Sequence, residues 1–232
     1  TGAMAAKQKL IRRQIMALLS MLVTSMIIWA SQQTQIQPQV LSSQVEQQFF
    51  GDSTAIEELD KLEVKGRAPK TGYARAQFGD GWSRQGLCDT RNIILERDMT
   101  DTIVDDNCKV QSGKLSDPYT GESILFHRGE NSNAVQIDHV VALSDAWQKG
   151  AQQLSFIERV ILANDPLNLL AVDGPANQQK SGSDAASWLP SNKSFRCQYV
   201  ARQIAVKQKY RLWVTTAEKS AMRGVLGACG RG

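Results

Sequence analysis

Between Ala134 and Pro190 the chain sets out four patterned segments in order: AVQIDHVVAL, LSFIERVILAN, NLLAV and GPANQQK. The first and third are short apolar runs that read as strands. The second has helical spacing at Leu154, Ile157, Val160 and Ile161, and the fourth starts a helix that stops at Pro190. SDAWQKGA, just after the first run, opens on Ser144 as a cap. Strand, helical insertion, strand and helix can close into a hairpin backed by a helix. That order constrains the fold most, because it gathers the polar residues at Asp138, His139, Asn168, Asn177 and Lys180 around one point.

Those residue types suit phosphodiester hydrolysis. Water needs a base to become a nucleophile, and imidazole titrates in the right range. Negative charge on the phosphorane and the leaving oxygen calls for a divalent cation. A hard ion such as Mg²⁺ takes oxygen ligands, few of them from protein. Asp138 and the amide oxygen of Asn177 would make such a half-filled shell. Lys180, one helical turn beyond Asn177, would share its face and reach phosphate. Taken singly, each has an ordinary structural reading: a capping Asp-His pair, a turn at Asn168, a helix cap at Asn177, a surface charge at Lys180. The ordered set is far more specific.

Upstream, STAIEELDKLEV reads as a short helix capped by Ser53 or Thr54, with Ile56, Leu59 and Leu62 on one face. CKVQSGKLSDPYTGESILFHRG reads as a hairpin turning at DPYTG, where Pro118 presets φ. The run Ile93 to Leu95 fits helix or strand. His127 reads as a surface strand residue. Trp82, Trp147, Trp188 and Trp213 could stack on bases, but their apolar neighbours favour the core.

The N-terminus reads differently. TGAM looks like a tag remnant ahead of a leader, whose only charged residues are Lys7, Lys9, Arg12 and Arg13. From Ile15 to Ala30 the chain is almost wholly apolar. These sixteen residues are fewer than the ~20 of a membrane-spanning helix. They fit a signal peptide or an uncleaved signal anchor, the one expected membrane contact. Residues 31–52, rich in Gln, read as a flexible linker, which leaves 53–232 as the folded domain.

Export fits the four cysteines. Cys88–Cys108 and Cys197–Cys229 close the shortest loops and are the favoured pairing. A zinc site is disfavoured, since no C-x-x-C spacing exists. The net charge of +4 comes from the leader's four cations. From Lys193 onward, nine cations face only Glu218. This basic segment, including Lys193 and Arg196, is either a footprint for phosphate backbones or a solvated face paired to the acidic half.

VQIDHVVALSDAWQKGA, ANDPLNLLAVDGPANQQKSGSDAASWLP and FRCQYVARQIAVKQKY resemble the HNH endonuclease family. More closely, they are similar to exported bacterial members related to the C-terminal nuclease domain of GmrSD-type restriction enzymes. The likeness runs through GYARAQFGDGW, CDTRN and DPYTG. It implies an α+β fold with a ββα-metal (His-Me finger) core over about 134–190, surrounded by helices and preceded by an N-terminal hairpin region. It implies His139 as general base and Asp138 and Asn177 as ligands of Mg²⁺ (or Mn²⁺). It also implies Asn168 as the residue that steadies the loop and Lys180 in a supporting catalytic role. Arg91, in CDTRN, is either a phosphate contact or a structural partner, and Arg128 either a phosphate contact or a solvated charge. The expected protein is a secreted or envelope-facing endonuclease acting on nucleic acid, with DNA the favoured substrate. The alternatives are a non-catalytic nucleic-acid-binding module, for example in DNA uptake, and a structural envelope protein.

Overall fold

The structure, a computed structural model, describes residue 16 and residues 40–129 and 131–231. The apolar leader, Met16 aside, and the start of the Gln-rich stretch lie outside the described residues. No described helix is long and apolar enough to cross a membrane. From Val40 the expected linker is instead part of the fold. Strand β1 (Val40–Leu41) pairs in parallel with β9 (Gly230–Arg231). Helix α1 (Ser43–Phe50) is capped by Ser42, which accepts from the Val45 amide. Its few apolar side chains, Val45, Phe49 and Phe50, pack on the core. Helix α2 (Ala55–Lys61) has the expected Thr54 cap, closed into a reciprocal box by Glu57.

The middle of the chain is built around a small sheet. A two-residue hairpin, β2 (Arg84–Gln85) and β3 (Cys88–Asp89), leads into α3 (Thr90–Asp98). The Ile93–Leu95 run is therefore helical, because Asp89 caps it through the Asn92 amide. Then β4 (Met99–Val104), β5 (Val110–Ser116) and β6 (Ser123–His127) form an antiparallel sheet. The last two are the hairpin foreseen at DPYTG.

Next come β7 (Val135–His139), α4 (Leu143–Gln148), α5 (Phe156–Asn164), β8 (Leu169–Asp173) and α6 (Gly174–Lys180). β7 and β8 pair antiparallel, with Asp138 opposite Leu170 and His139 opposite Leu169. Alternate residues point to opposite faces. Val135, Ile137, Leu169 and Ala171 pack against α3 and the three-stranded sheet. Leu170 and Val172 pack against α7 (Arg196–Lys209) and α8 (Thr216–Gly227). Burial on both faces explains why NLLAV shows no polar alternation. At the end of β8, Asp173 caps α6 through the Ala176 amide, with Pro175 in its first turn. Gly174 is required there: a Cβ would lie 2.2 Å from the Asn133 carbonyl oxygen.

Three local expectations change. Helix α4 starts at Leu143 and has no side-chain cap, so Ser144 lies inside it. Helix α6 ends at Lys180, where Ser181 turns to a φ of 48°, well before Pro190. Of the apolar face expected for α5, Leu154 is buried and Val160 half-buried, but the two isoleucines point outward. Ile157 is 70% exposed and Ile161 51%, while Leu162 and Ala163 are buried. The spacing was helical, but Leu162 and Ala163 are the residues that meet the core around Trp147 and Phe78.

Both expected disulfides are present, with Cα–Cα separations of 4.9 Å for Cys88–Cys108 and 6.0 Å for Cys197–Cys229. A second tie is ionic. Lys149 is fully buried and contacts Asp145, Asp184 and Glu218 at 2.7–2.8 Å. Buried Lys207 pairs with Glu218 at 3.0 Å, and Arg67 reaches Asp145 and Asp184. Burial opposes ionisation of Asp184, but the hydrogen bond and charge of Lys149 prevail and lower its pKa to about 2. The three cations and three carboxylates balance, which lets them stay charged out of water. Lys149→Met leaves three carboxylates short of a partner and should cost about 3–5 kcal/mol in chemical denaturation.

Candidate functional site

β7 ends in a polar pair inside an apolar surround. Asp138 and Gln136 share one face of the strand, and His139 takes the other at its last position. Asp138 is buried, yet both carboxylate oxygens are engaged. Oδ2 accepts from the Tyr119 hydroxyl at 2.5 Å, and Oδ1 from Lys180 Nζ at 3.0 Å. Lys180 Nζ also donates to the His139 carbonyl at 2.9 Å. Burial raises the Asp138 pKa, while the charge of Lys180 and the Tyr119 hydrogen bond pull it back.

His139 is fixed by its other neighbours. Its Nε2 lies 2.9 Å from the Ala163 carbonyl oxygen. A carbonyl can only accept, so Nε2 carries the proton and Nδ1 keeps the free lone pair. Nδ1 has no hydrogen-bond partner among the described residues. Trp82 stacks on the imidazole, 5.8 Å away and 13° from parallel. Burial is the largest influence on the ring and lowers its pKa to about 3; the charges of Arg75 and Lys180 act the same way, against the Ala163 hydrogen bond.

A cleft of about 430 Å³ opens onto this pair. Asp138, His139, Gln136 and Asn177 line it, together with Tyr73, Arg75, Gln178 and Ser144. Asn177 Nδ2 donates to Gln136 Oε1 at 2.9 Å. That bond orients the amide and leaves its oxygen without a partner among the described residues.

Asn168 and Lys180 act from behind. Asn168 is fully buried; its Oδ1 accepts from the Val141 amide at 2.8 Å and its Nδ2 donates to the Val141 carbonyl at 3.3 Å. It locks the turn that follows His139 and does not line the cleft. Lys180 is fully buried as well, so the phosphate contact expected of it is replaced by its hold on Asp138 and the His139 carbonyl.

The expected nucleic-acid contacts lie elsewhere. Arg91 reaches the carbonyls of Ser132 and Val135 at 3.4 Å. Arg128 donates to the Val110 carbonyl and to Asn92 Oδ1. Both are structural partners. Arg196 donates to the Pro190 carbonyl, and Lys193 is exposed but not part of the cleft wall. The basic tail is largely paired internally: Lys207 with Glu218, Lys209 with Asp165, Arg211 with Glu158 and Arg223 with Asp60.

Sequence reasoning missed Tyr119, Arg75 and Gln136 as parts of the site; Trp82 packs on the core as read, and also stacks on His139. Tyr119 lies in DPYTG, and Arg75 and Trp82 in GYARAQFGDGW. Those segments carried the family likeness, which was the one signal available for them.

The His139 shift has a measurable consequence. Its folded pKa of about 3 lies below the ordinary histidine value of 6.5. Between these values the unfolded chain binds the extra proton, so the His139 contribution to stability falls as pH drops from 6.5 toward 3. Thermal melts in chelator over this window should show His139→Gln losing less stability with acid than the parent. Equal losses would contradict a neutral buried imidazole.

Comparison with known proteins agrees with the geometry. No solved structure matches the chain significantly. A protein of Arthroderma benhamiae described as an uncharacterized secreted protein is 39% identical over 179 residues, covering 76% of this chain and 85% of the relative. The model of the GmrSD restriction endonuclease C-terminal domain matches residues 89–225, a span that holds Asp138, His139, Asn168, Asn177 and Lys180. The chain belongs to the family of GmrSD restriction endonuclease C-terminal domains.

Proposed function

We propose that this protein is an exported, metal-dependent endonuclease with a ββα-metal core formed by β7, β8 and α6. One observation carries the reading: a buried imidazole that lines a polar cleft beside a carboxylate, with Nε2 tied to a backbone carbonyl and Nδ1 left without a partner among the described residues. A buried structural histidine would have both nitrogens satisfied. The leader, the two disulfides and a relative described as secreted support export.

The donors at the cleft fit a hard divalent ion. Asp138 and Asn177 offer oxygen ligands, and the Gln136 contact already turns the Asn177 oxygen outward. Among the described residues no group of three His, Cys, Asp or Glu gathers to hold a metal. When bound, Mg²⁺ or Mn²⁺ supplies charge neutralisation at the phosphoryl group and the leaving oxygen.

The chain's own residues do the rest. His139 Nδ1 takes a proton from water, whose oxygen attacks phosphorus. The bond to the 3′-oxygen breaks, leaving a 5′-phosphate and a 3′-hydroxyl that takes its proton from solvent. The Ala163 carbonyl and Trp82 hold the ring for that transfer. Asn168 and Lys180 fix the backbone on either side of it. A base with pKa near 3 is fully unprotonated at neutral pH but weak. An anionic phosphodiester beside it favours the imidazolium and raises its basicity as substrate arrives.

The test is cleavage of plasmid DNA, single-stranded DNA and RNA with Mg²⁺, Mn²⁺ or chelator. Cleavage should need the metal, with DNA the favoured substrate. His139→Ala should lower the rate at least 100-fold. Asn177→Ala should raise the metal concentration needed for half-maximal rate. Full activity in His139→Ala would overturn the assignment of the base.

A further inference from the structure

With the expected phosphate contacts placed elsewhere, the cleft needs another anion-binding group. Arg75 is the one Lys or Arg among the described residues that line it. It also lines the small pocket behind His139 and Trp82, so its side chain lies along the imidazole edge of the site. No carboxylate or carbonyl pairs with its guanidinium among the described residues. By contrast Arg67, Arg91, Arg97, Arg128, Arg159 and Arg202 all donate to protein oxygens.

The backbone under Arg75 is held firmly. It opens a 3-10 turn, Arg75–Phe78. Phe78 is buried against Trp147 and Tyr73, and Arg159 donates to the Gln77 carbonyl at 2.8 Å. Gly79, at φ 97°, lets the turn end against Val160. An unpaired arginine on a fixed turn, lining the same polar cleft as His139, suits a phosphate. Apart from Asp138 no Asp or Glu lines the wall among the described residues. One further cation stands close by: Lys70, 5.3 Å over the ring of Tyr73.

We propose that Arg75 is the substrate-binding residue that grips the phosphate at the cleft, and that nucleic acid is engaged through one or two phosphates rather than along a basic track. This rests on the nuclease reading of the same cleft. It predicts weak salt dependence, because each neutralised phosphate on a single strand adds about −0.7 to the slope of log affinity against log salt.

The experiment is fluorescence anisotropy with a labelled single-stranded oligonucleotide in chelator over a range of NaCl, on the full chain. The parent should show a slope shallower than about −2. Arg75→Gln should raise Kd about 10- to 100-fold and flatten the slope by about 0.7. Arg75→Lys should recover part of the affinity, since it keeps the charge but loses the planar fork. Thermal melting should be unchanged in both variants, as Arg75 is exposed and has no protein partner among the described residues. A parental slope steeper than −3, an Arg75→Gln Kd within twofold of the parent, or no binding at all would overturn the proposal. Binding through Arg75 with no cleavage of any substrate in metal would overturn the nuclease reading and leave the Arg75 contact standing.

Discussion

The ammonium of Lys180 joins the parts of this site. It is fully buried at the last residue of α6, yet it touches the Asp138 carboxylate and the His139 carbonyl on β7. One charge thereby holds the helix that carries Asn177 against the strand that carries the Asp-His pair. A buried ammonium must find such partners, because an unpaired one costs several kcal/mol. The requirement runs both ways. Asp138 could not stay in this apolar surround without the cation, and Tyr119 completes its second oxygen.

The same logic recurs behind the cleft. Asp145 on α4, Asp184 after α6, Lys207 on α7 and Glu218 on α8 meet around Lys149. These segments are distant in sequence, and the charges pin them in one arrangement. Apolar packing could have joined them with equal stability, but it is less directional than ion pairs. Asn168 is the neutral version of the device. Its amide serves both backbone groups of Val141, so the turn after His139 is fixed without a charge. The Asp-His pair is therefore held by polar contacts from α6 on one side and from the β8 entry on the other.

What the sequence disclosed was local. The cap before α2, the DPYTG hairpin, the order of β7, α5, β8 and α6, and the disulfide pairing follow rules that act over a few residues or one loop. What stayed hidden was set by distant partners. Charge alone left the cationic tail open between a nucleic-acid footprint and a face paired to acidic residues; the folded chain pairs Arg223 with Asp60 and Lys207 with Glu218. Periodicity made α5 a helix but could not say that Leu162 and Ala163, rather than Ile157 and Ile161, would meet the core. The Gln-rich start hid α1 because three apolar residues suffice when a helix packs on an existing core. Arg75 had only the family likeness of its segment to mark it; the folded cleft is what separates it from the other arginines.

The titration behaviour of the pair argues for function over structure. Burial raises the pKa of Asp138 and lowers that of His139, so both resist their charged forms. A chain selected for stability alone could place apolar residues at positions 138 and 139 and lose neither packing nor acid resistance. This one keeps a carboxylate, then recruits Tyr119 and Lys180 to keep it tolerable. It keeps an imidazole, then satisfies only one of its nitrogens. Displaced groups beside an open polar cleft are the pattern expected where chemistry sets the requirement. The two disulfides and the buried ionic cluster supply stability outside the cleft, which lets the pair remain in an environment that favours neither charge.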